Sequence, residues 1–402
     1  MSNFSKAHLR KRSPNFSLFI VIVLLVILGI VFLSSASSVI SFQEYGDSRY
    51  MFLKQVFGII LGFGLMGVFY KIDVRFWKRI AFPLMVITLI SLVAVLIPHI
   101  GVAHGGARRW IDLGPIQIQP SDFLKFSAIV YLASLFEKKG REVRDFMHGT
   151  LPFLILLGVM VLLVMAQPDM GTLLVVIVIA ITMYFVSGAK ASHLLGIGAA
   201  GIVGLLALIK ISPYRMQRFL VFLNPSAYSN HAVGYQTKQA LIAIGSGGLI
   251  GRGFGQSLQK YRYLPEAATD SIFAIIGEEK GVIGTVGICF LFAAFGFLGY
   301  KIAQNARDAY TRLLAVGITS WIVFQAILNI CAALSLVPLT GVTLPFISFG
   351  GTSIVLAIAS SGILLNISSN AQERTENENN PGRRGDRRSR YAALGNHSRT
   401  KR

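Results

Sequence analysis

The sequence predicts an all-α integral membrane protein of about ten transmembrane helices, with a long extracytoplasmic loop between helices 7 and 8. Three observations predict it. Of 402 residues, 53% are hydrophobic and only 14% charged, where a soluble domain carries about a quarter charged. The apolar residues fall in runs of about 20, the length that spans a hydrocarbon core of about 30 Å. Lys and Arg gather in the short connections between runs, as they do where they fix orientation in a membrane. The mean hydropathy of +0.62 agrees.

In chain order, the runs lie at about 17–36, 52–70, 79–98, 121–136, 150–167, 171–188, 191–211, 271–299, 311–333 and 343–367. The first exceeds the 7–15-residue core of a cleavable signal and reads as an uncleaved anchor. With the N-terminus inside, the inner connections carry Lys71, Arg75, Lys78 and Arg79, then Lys138, Lys139, Arg141 and Arg144, then Lys190, then Lys301, Arg307 and Arg312. Both termini are then cytoplasmic, as an even number of spans requires. Residues 1–16 form a basic cytoplasmic N-terminus, 17–369 the membrane domain, and 370–402 a basic cytoplasmic tail. The tail, with nine basic residues against four acidic ones from Glu373 on, cannot bury apolar surface and reads as disordered. Its charge suits an anionic inner leaflet of membrane lipids. The net charge of +20 is thus an orientation signal, and nucleic acid is not an expected partner. Cys289 and Cys331 lie inside apolar runs and read as small core residues, not as a disulfide or metal site.

Residues 212–270, the large extracytoplasmic loop, carry six basic residues (Arg215, Arg218, Lys238, Arg252, Lys260, Arg262) against two acids, Glu266 and Asp270. A cationic surface beside the outer leaflet suits a phosphate-bearing lipid; a solvated loop touching lipid headgroups is the plainer alternative. Gln236–Ile244 is amphipathic enough for an interfacial helix. Seven glycines lie between Gly234 and Gly255. They lack the Gly-Lys-Ser/Thr of a nucleotide loop and point to irregular backbone packed tightly against a cavity.

Ionisable residues at a membrane edge are functional candidates because they are costly to place there. Asp270 opens the eighth span, where it could equally be a helix cap. Glu278, eight residues on, would share its helix face about 12 Å deeper. In Gln119-Pro-Ser-Asp-Phe-Leu-Lys125, Pro120 marks a helix start. Lys125 then sits one turn into a span, in need of a partner or an anion unless it snorkels to the interface. Asp169, in Gln167-Pro-Asp-Met-Gly-Thr172, reads as a cap. The prolines, glycines and hydroxyls of Val337–Ser353 interrupt the tenth span and read as a cavity wall.

Together these clusters resemble the SEDS family (shape, elongation, division and sporulation) of peptidoglycan glycosyltransferases over about residues 15–370. The resemblance rests on Arg108-Arg-Trp, Gln119-Pro-Ser, Gln167-Pro-Asp-Met-Gly-Thr, Asn224-Pro, Gly234-Tyr-Gln, Ile244-Gly-Ser-Gly-Gly-Leu, Thr269-Asp, Gly277-Glu-Glu and Pro338-Leu-Thr-Gly-Val-Thr-Leu-Pro-Phe-Ile-Ser, in that order. Gln259-Lys-Tyr-Arg-Tyr-Leu-Pro-Glu-Ala is more similar to the division branch than to the elongation branch. The resemblance implies polymerisation of lipid II at the outer face of the bacterial cytoplasmic membrane, with Asp270 as general base. It implies substrate contacts at Arg109, Asp122, Lys125, Lys260, Glu266 and Thr269. A Mg²⁺ or Mn²⁺ ion could assist and no organic cofactor is expected. The implied partners are a class B penicillin-binding protein transpeptidase and other membrane proteins of the division or elongation complex. The chain departs from the family where His-Thr-Asp-Phe is usual, having Ala268-Thr-Asp-Ser271, so no imidazole adjoins the aspartate. Asp122 stands for a usual Glu, and Lys280 for an apolar residue. The competing readings are a flippase for the same lipid, using Glu278 and Glu279 as a polar path, and a non-catalytic scaffold.

Overall fold

The computed structural model describes residues 14–98, 100–104, 107–112, 114, 117–224, 227 and 232–379. Residues 1–13 of the basic N-terminus and 380–402 of the tail lie outside the described residues. Helix α1 (Phe16–Tyr45) is capped by Asn15, whose side chain accepts from the Leu18 amide at 3.1 Å, and is closed by Gly46 at φ +74. The helices α2 (Tyr50–Lys71), α3 (Val74–Leu96), α4 (Pro120–Lys139), α5 (Leu151–Ala166), α6 (Met170–Val186) and α7 (Ala191–Ile211) follow. Then come α8 (Pro213–Leu223), α9 (Ala232–Gly247), α10 (Ile272–Gln304), α11 (Ala309–Ala333) and α12 (Gly351–Asn379).

The ten predicted spans correspond to α1–α7 and α10–α12. Eight segments among the described residues are long and apolar enough to cross a membrane, and α6 is a shorter apolar helix. The tenth, α4, is 20 residues long and carries Asp122 and Lys125 in its buried face. Pro120 begins it, as the sequence predicts. The first helix runs nine residues past its expected end at 36, and α12 begins at 351 instead of 343. The tail expected to be disordered from 370 instead continues α12 as helix to Asn379.

Helices α11 and α12 are largely enclosed by their neighbours, whereas no residue of α7 is buried. Trp321 on α11 and Tyr184 on α6 are the largest fully enclosed side chains. Because the helices alternate in direction, the connections α3–α4, α5–α6, α7–α10 and α11–α12 meet at one end. That end also carries a small antiparallel sheet, β1 (Gly101–His104), β2 (Ala107–Asp112) and β3 (Gln117–Ile118), in the order β1-β2-β3. At the opposite end, Lys78 pairs with Glu137 at 2.5 Å, and His193 and Tyr184 share the Thr150 hydroxyl.

Candidate active site

The long connection before α10 is folded, with two helices in it. The interfacial helix expected over Gln236–Ile244 is the centre of α9, whose Gly234, Thr237, Ala240, Ala243 and Gly247 bury one face.

Its glycines explain a break in α10. Gly281 lies at φ +62 and ψ −158, interrupting the helix nine residues after it starts. A regular helix would carry bonds from Val282 to Glu278 and from Ile283 to Glu279. Instead, Val282 N donates to Gly248 O at 3.0 Å and Ile283 N to Leu249 O at 3.2 Å. The two carbonyls left over accept from the loop, Glu278 O from Arg252 N at 2.9 Å and Glu279 O from Gly253 N at 3.1 Å. All four groups orphaned by the break are therefore satisfied, as they must be at membrane depth. Main chains this close leave no room for side chains. A Cβ on Gly247 would strike Gly277 O, and one on Gly251 would strike Glu279 O.

Glu278 and Glu279 anchor the same loop. Glu278 accepts from the Ser257 hydroxyl and from the amides of Leu258 (3.0 Å) and Gln259 (3.3 Å), with Arg252 at 3.4 Å. Glu279 takes the Ser35 hydroxyl of α1 at 2.6 Å, and Lys260 Nζ stands 3.6 Å away. The expected line of carboxylates from Asp270 to Glu278 is not formed. Asp270 precedes the first residue of α10, and the two share no partner among the described bonds.

Asp270 sits in the turn Glu266–Ser271. The Glu266 carbonyl accepts from the amides of Thr269 (3.2 Å) and Ser271 (3.0 Å). The Thr269 hydroxyl lies 2.6 Å from the Glu266 carboxylate and 3.3 Å from that of Asp270. Ser271 receives a bond from Gln236 of α9 at 3.0 Å. Although partly accessible, the Asp270 carboxyl is closely enclosed. Desolvation first and the Glu266 charge second push its pKa up to about 7, against smaller opposing pulls from its own backbone amide, from the Thr269 hydroxyl and, least, from Arg218 of α8.

The irregular segment 336–350 runs beside this turn, as a cavity wall should. Phe349 N donates to Ala268 O at 2.9 Å, Arg218 donates to Leu339 O at 2.6 Å, and Asn329 of α11 donates to Asp270 O at 2.9 Å. Arg218, Gln236 and Asn329 are site residues that sequence reasoning missed as such. Arg218, as one of the loop's six cations, and Gln236, in the motif Gly234-Tyr-Gln, gave a signal in the sequence; Asn329 gave none.

The remaining candidates lie across the same end. Arg109 on β2 donates to the carbonyls of Gln167 and Pro168 in the α5–α6 turn. Asp169 caps α6 by accepting from Thr172 N at 3.1 Å, as expected, and also holds the Ser121 hydroxyl at 3.2 Å. Lys125 is 3% exposed and does not snorkel. Its ammonium pairs with Asp122 at 2.7 Å, donates to Gln325 at 3.1 Å and lies 5.3 Å from the Trp321 ring centre. The second oxygen of Asp122 accepts from Thr352 at 2.8 Å. Lys125 and Lys260 are thus both neutralised by buried carboxylates, and Asp270, Glu266, Thr269, Arg218 and Arg109 form the accessible set. Among the described residues no three His, Cys, Asp or Glu converge to hold a metal ion.

A family model described as "Cell cycle protein" (FtsW, RodA, SpoVE) matches residues 15–373. Stage V sporulation protein E of Bacillus subtilis (strain 168) is 40% identical over 361 residues, covering 89% of this chain and 98% of that protein. A probable peptidoglycan glycosyltransferase FtsW of Geobacter sp. (strain M18) is 38% identical over 346 residues, covering 86% and 94%. Among solved structures, a chain from a study of polymerisation and crosslinking by a peptidoglycan synthase complex superposes with a TM-score of 0.74 at 27% identity, covering 89% and 98%. The Thermus thermophilus rod shape determining protein RodA superposes with a TM-score of 0.66 at 29% identity, covering 88% and 96%.

Proposed function

Because the chain belongs to the FtsW/RodA/SpoVE family of cell cycle proteins, we propose that it is a peptidoglycan glycosyltransferase that polymerises lipid II. The observation that carries this reading is Asp270, a partly accessible carboxyl with its pKa pushed up to about 7 where the connections converge. A base with a pKa near the working pH is the most effective proton acceptor. Names among the relatives and solved neighbours support the activity and a crosslinking partner, here a class B penicillin-binding protein transpeptidase. The division role rests on the relatives named FtsW.

In the proposed reaction the 4-hydroxyl of one disaccharide attacks the anomeric carbon of another. Asp270 takes the hydroxyl proton as the new C–O bond forms and the bond to pyrophosphate breaks. Pyrophosphate leaves as a stable anion, so the second carboxylic acid that a glycosidase uses on an alkoxide is not needed. Direct displacement inverts an α-linked donor to a β-linked product. Arg218 and Arg109, as the accessible cations of this end, would offset the departing charge, while Lys125 and Lys260 hold the frame of the site. Glu266 and Thr269 orient the base. A Mg²⁺ or Mn²⁺ ion would enter as the counter-ion of the pyrophosphate, as part of the substrate. The convergent end would face outward, with both termini cytoplasmic and the tail beside other membrane proteins of the division complex. Glu278 and Glu279, which a flippase would use as a path, are spent on holding the loop.

The test is polymerisation of labelled lipid II by the purified protein, with and without its transpeptidase. Asp270→Asn should lower the rate at least about 100-fold at unchanged folding. The base works deprotonated, so the wild-type rate should rise as pH increases through about 7 and level off above it. Movement of lipid II between leaflets without polymerisation would sink the proposal.

A further inference from the structure

Beyond the base itself, α11 presents two buried amides, one turn apart, to the irregular segment beside it. Asn329 is 2% exposed and Gln325 is 1% exposed. The Asn329 Nδ2 group donates to Val342 O at 2.6 Å and to Asp270 O at 2.9 Å. The Gln325 Nε2 group donates to Thr343 O at 2.9 Å. Two consecutive carbonyls of the broken segment are therefore bolted to one helix face. Just before them, Gly341 at φ +71 passes so close that a Cβ there would come within 3.9 Å of the Asp270 carboxylate. The other end of the array is tied down equally firmly. Gln325 Oε1 accepts from Trp321 at 2.8 Å and from Lys125 at 3.1 Å, and Lys125 is paired with Asp122.

We infer that Asn329 and Gln325 are positioning residues for Asp270, fixing its turn against residues 341–343, with the Lys125–Asp122 pair as their anchor. The inference rests on the proposed role of Asp270. Neither amide reaches the Asp270 carboxylate, so neither is catalytic. Each fixes backbone, and the base can neither tilt nor recede while both bonds hold. Fixing a reacting group matters because a displacement of about 1 Å can cost about 100-fold in rate. The charged groups that face the Asp270 carboxylate are Glu266 of its own turn and Arg218 of α8. The bond from α11 comes from a neutral amide and goes to the Asp270 backbone carbonyl. Loosening the array would admit water without altering those charges, and would let the carboxyl ionise more easily.

The experiment compares Asn329→Ala, Asn329→Ser and Asp270→Asn with the wild type in lipid II polymerisation, all at matched unfolding temperature in detergent. Asn329→Ala should lower kcat about 100-fold, leave KM within about threefold, and move the acidic limb of the rate profile down by about one pH unit. Asn329→Ser keeps one donor and should recover about tenfold of the loss. Loss confined to KM, or loss with an unmoved acidic limb, would overturn the inference, and so would wild-type rates in both Asn329 variants. A second arm needs no turnover. Asp270→Cys, with Cys289 and Cys331 replaced by Ser, is labelled with a maleimide in the presence and absence of Asn329→Ala. A several-fold change in labelling rate is expected, and equal rates refute the positioning role. If Asp270→Asn polymerises like the wild type, the reading of Asp270 as base has failed, and the labelling arm still decides whether Asn329 holds the turn.

Discussion

Lys125 and Asp122 are a pair of opposite charges with almost no access to water. Such a pair gains little over an apolar substitute, but breaking it strands a charge, at about 3–5 kcal/mol. Lys125→Met should therefore destabilise the fold by about that amount, and the double change Lys125→Met, Asp122→Leu should restore most of it. Thermal unfolding in detergent measures both. A lysine whose main task was to meet substrate would instead leave the unfolding temperature nearly unchanged. The pairing could be read in part from the sequence, since three residues apart on one helix is contact spacing. Lys260 and Glu279 gave no such signal. They are 19 positions apart across a loop and meet only because that loop folds back on α10. Ala268, where the family usually has His, is buried and offers its carbonyl to Phe349. Asp270 is therefore raised by enclosure and by Glu266, without an imidazole beside it.

Among elements, the ten long apolar runs were legible because a bilayer demands length and hydropathy that nothing else in a chain imitates. The short elements were not. Helix α8 has 11 residues, and the strands of the α3–α4 connection have six or fewer, too few for a period to stand out. Asp270 and Glu278 were misplaced as one helix face because helix periodicity was carried two residues past its start. Of the glycines of residues 245–255, Gly247 and Gly251 are sites of tight backbone, and their partner is the interrupted main chain of α10. At Gly281 the backbone lies in a region open essentially to glycine alone. Gly281→Ala should cost about 1–3 kcal/mol from conformation, and more from contact with Leu249 and Gly251, 2.6 Å from the added carbon. A fall in unfolding temperature with loss of protection at the Arg252 and Gly253 amides, measured by hydrogen exchange, is the expected result. An unchanged exchange pattern would mean that loop and helix are not joined.

The arrangement as a whole gathers the small sheet, the long connection and the irregular segment 336–350 at one end, and the short connections richest in Lys and Arg at the other. Orientation can be tested directly. Ile250, 77% exposed on the long connection, should react as Ile250→Cys with a membrane-impermeant maleimide applied outside intact cells, in a background lacking Cys289 and Cys331. Arg141→Cys, in the connection between α4 and α5, should react only after the membrane is opened. The opposite pattern would invert the assignment of faces. Composition and charge placement carry the architecture this far. The convergence of α8, α9, α11 and the 336–350 segment on Asp270 depends on contacts between residues up to 121 positions apart, which no local pattern encodes.

The splice between residues 248–253 and the break in α10 also bears on how the protein is made. During synthesis the glycine loop emerges before α10 does. When α10 enters the bilayer it brings two amides and two carbonyls that its own helix cannot satisfy, each costing several kcal/mol in hydrocarbon. Among the described residues, the chain that satisfies them is the loop 248–253, which is made first. Insertion of α10 is therefore completed by a segment made earlier, and a nascent chain long enough for α10 to have left the ribosome should already hold the loop in its final register.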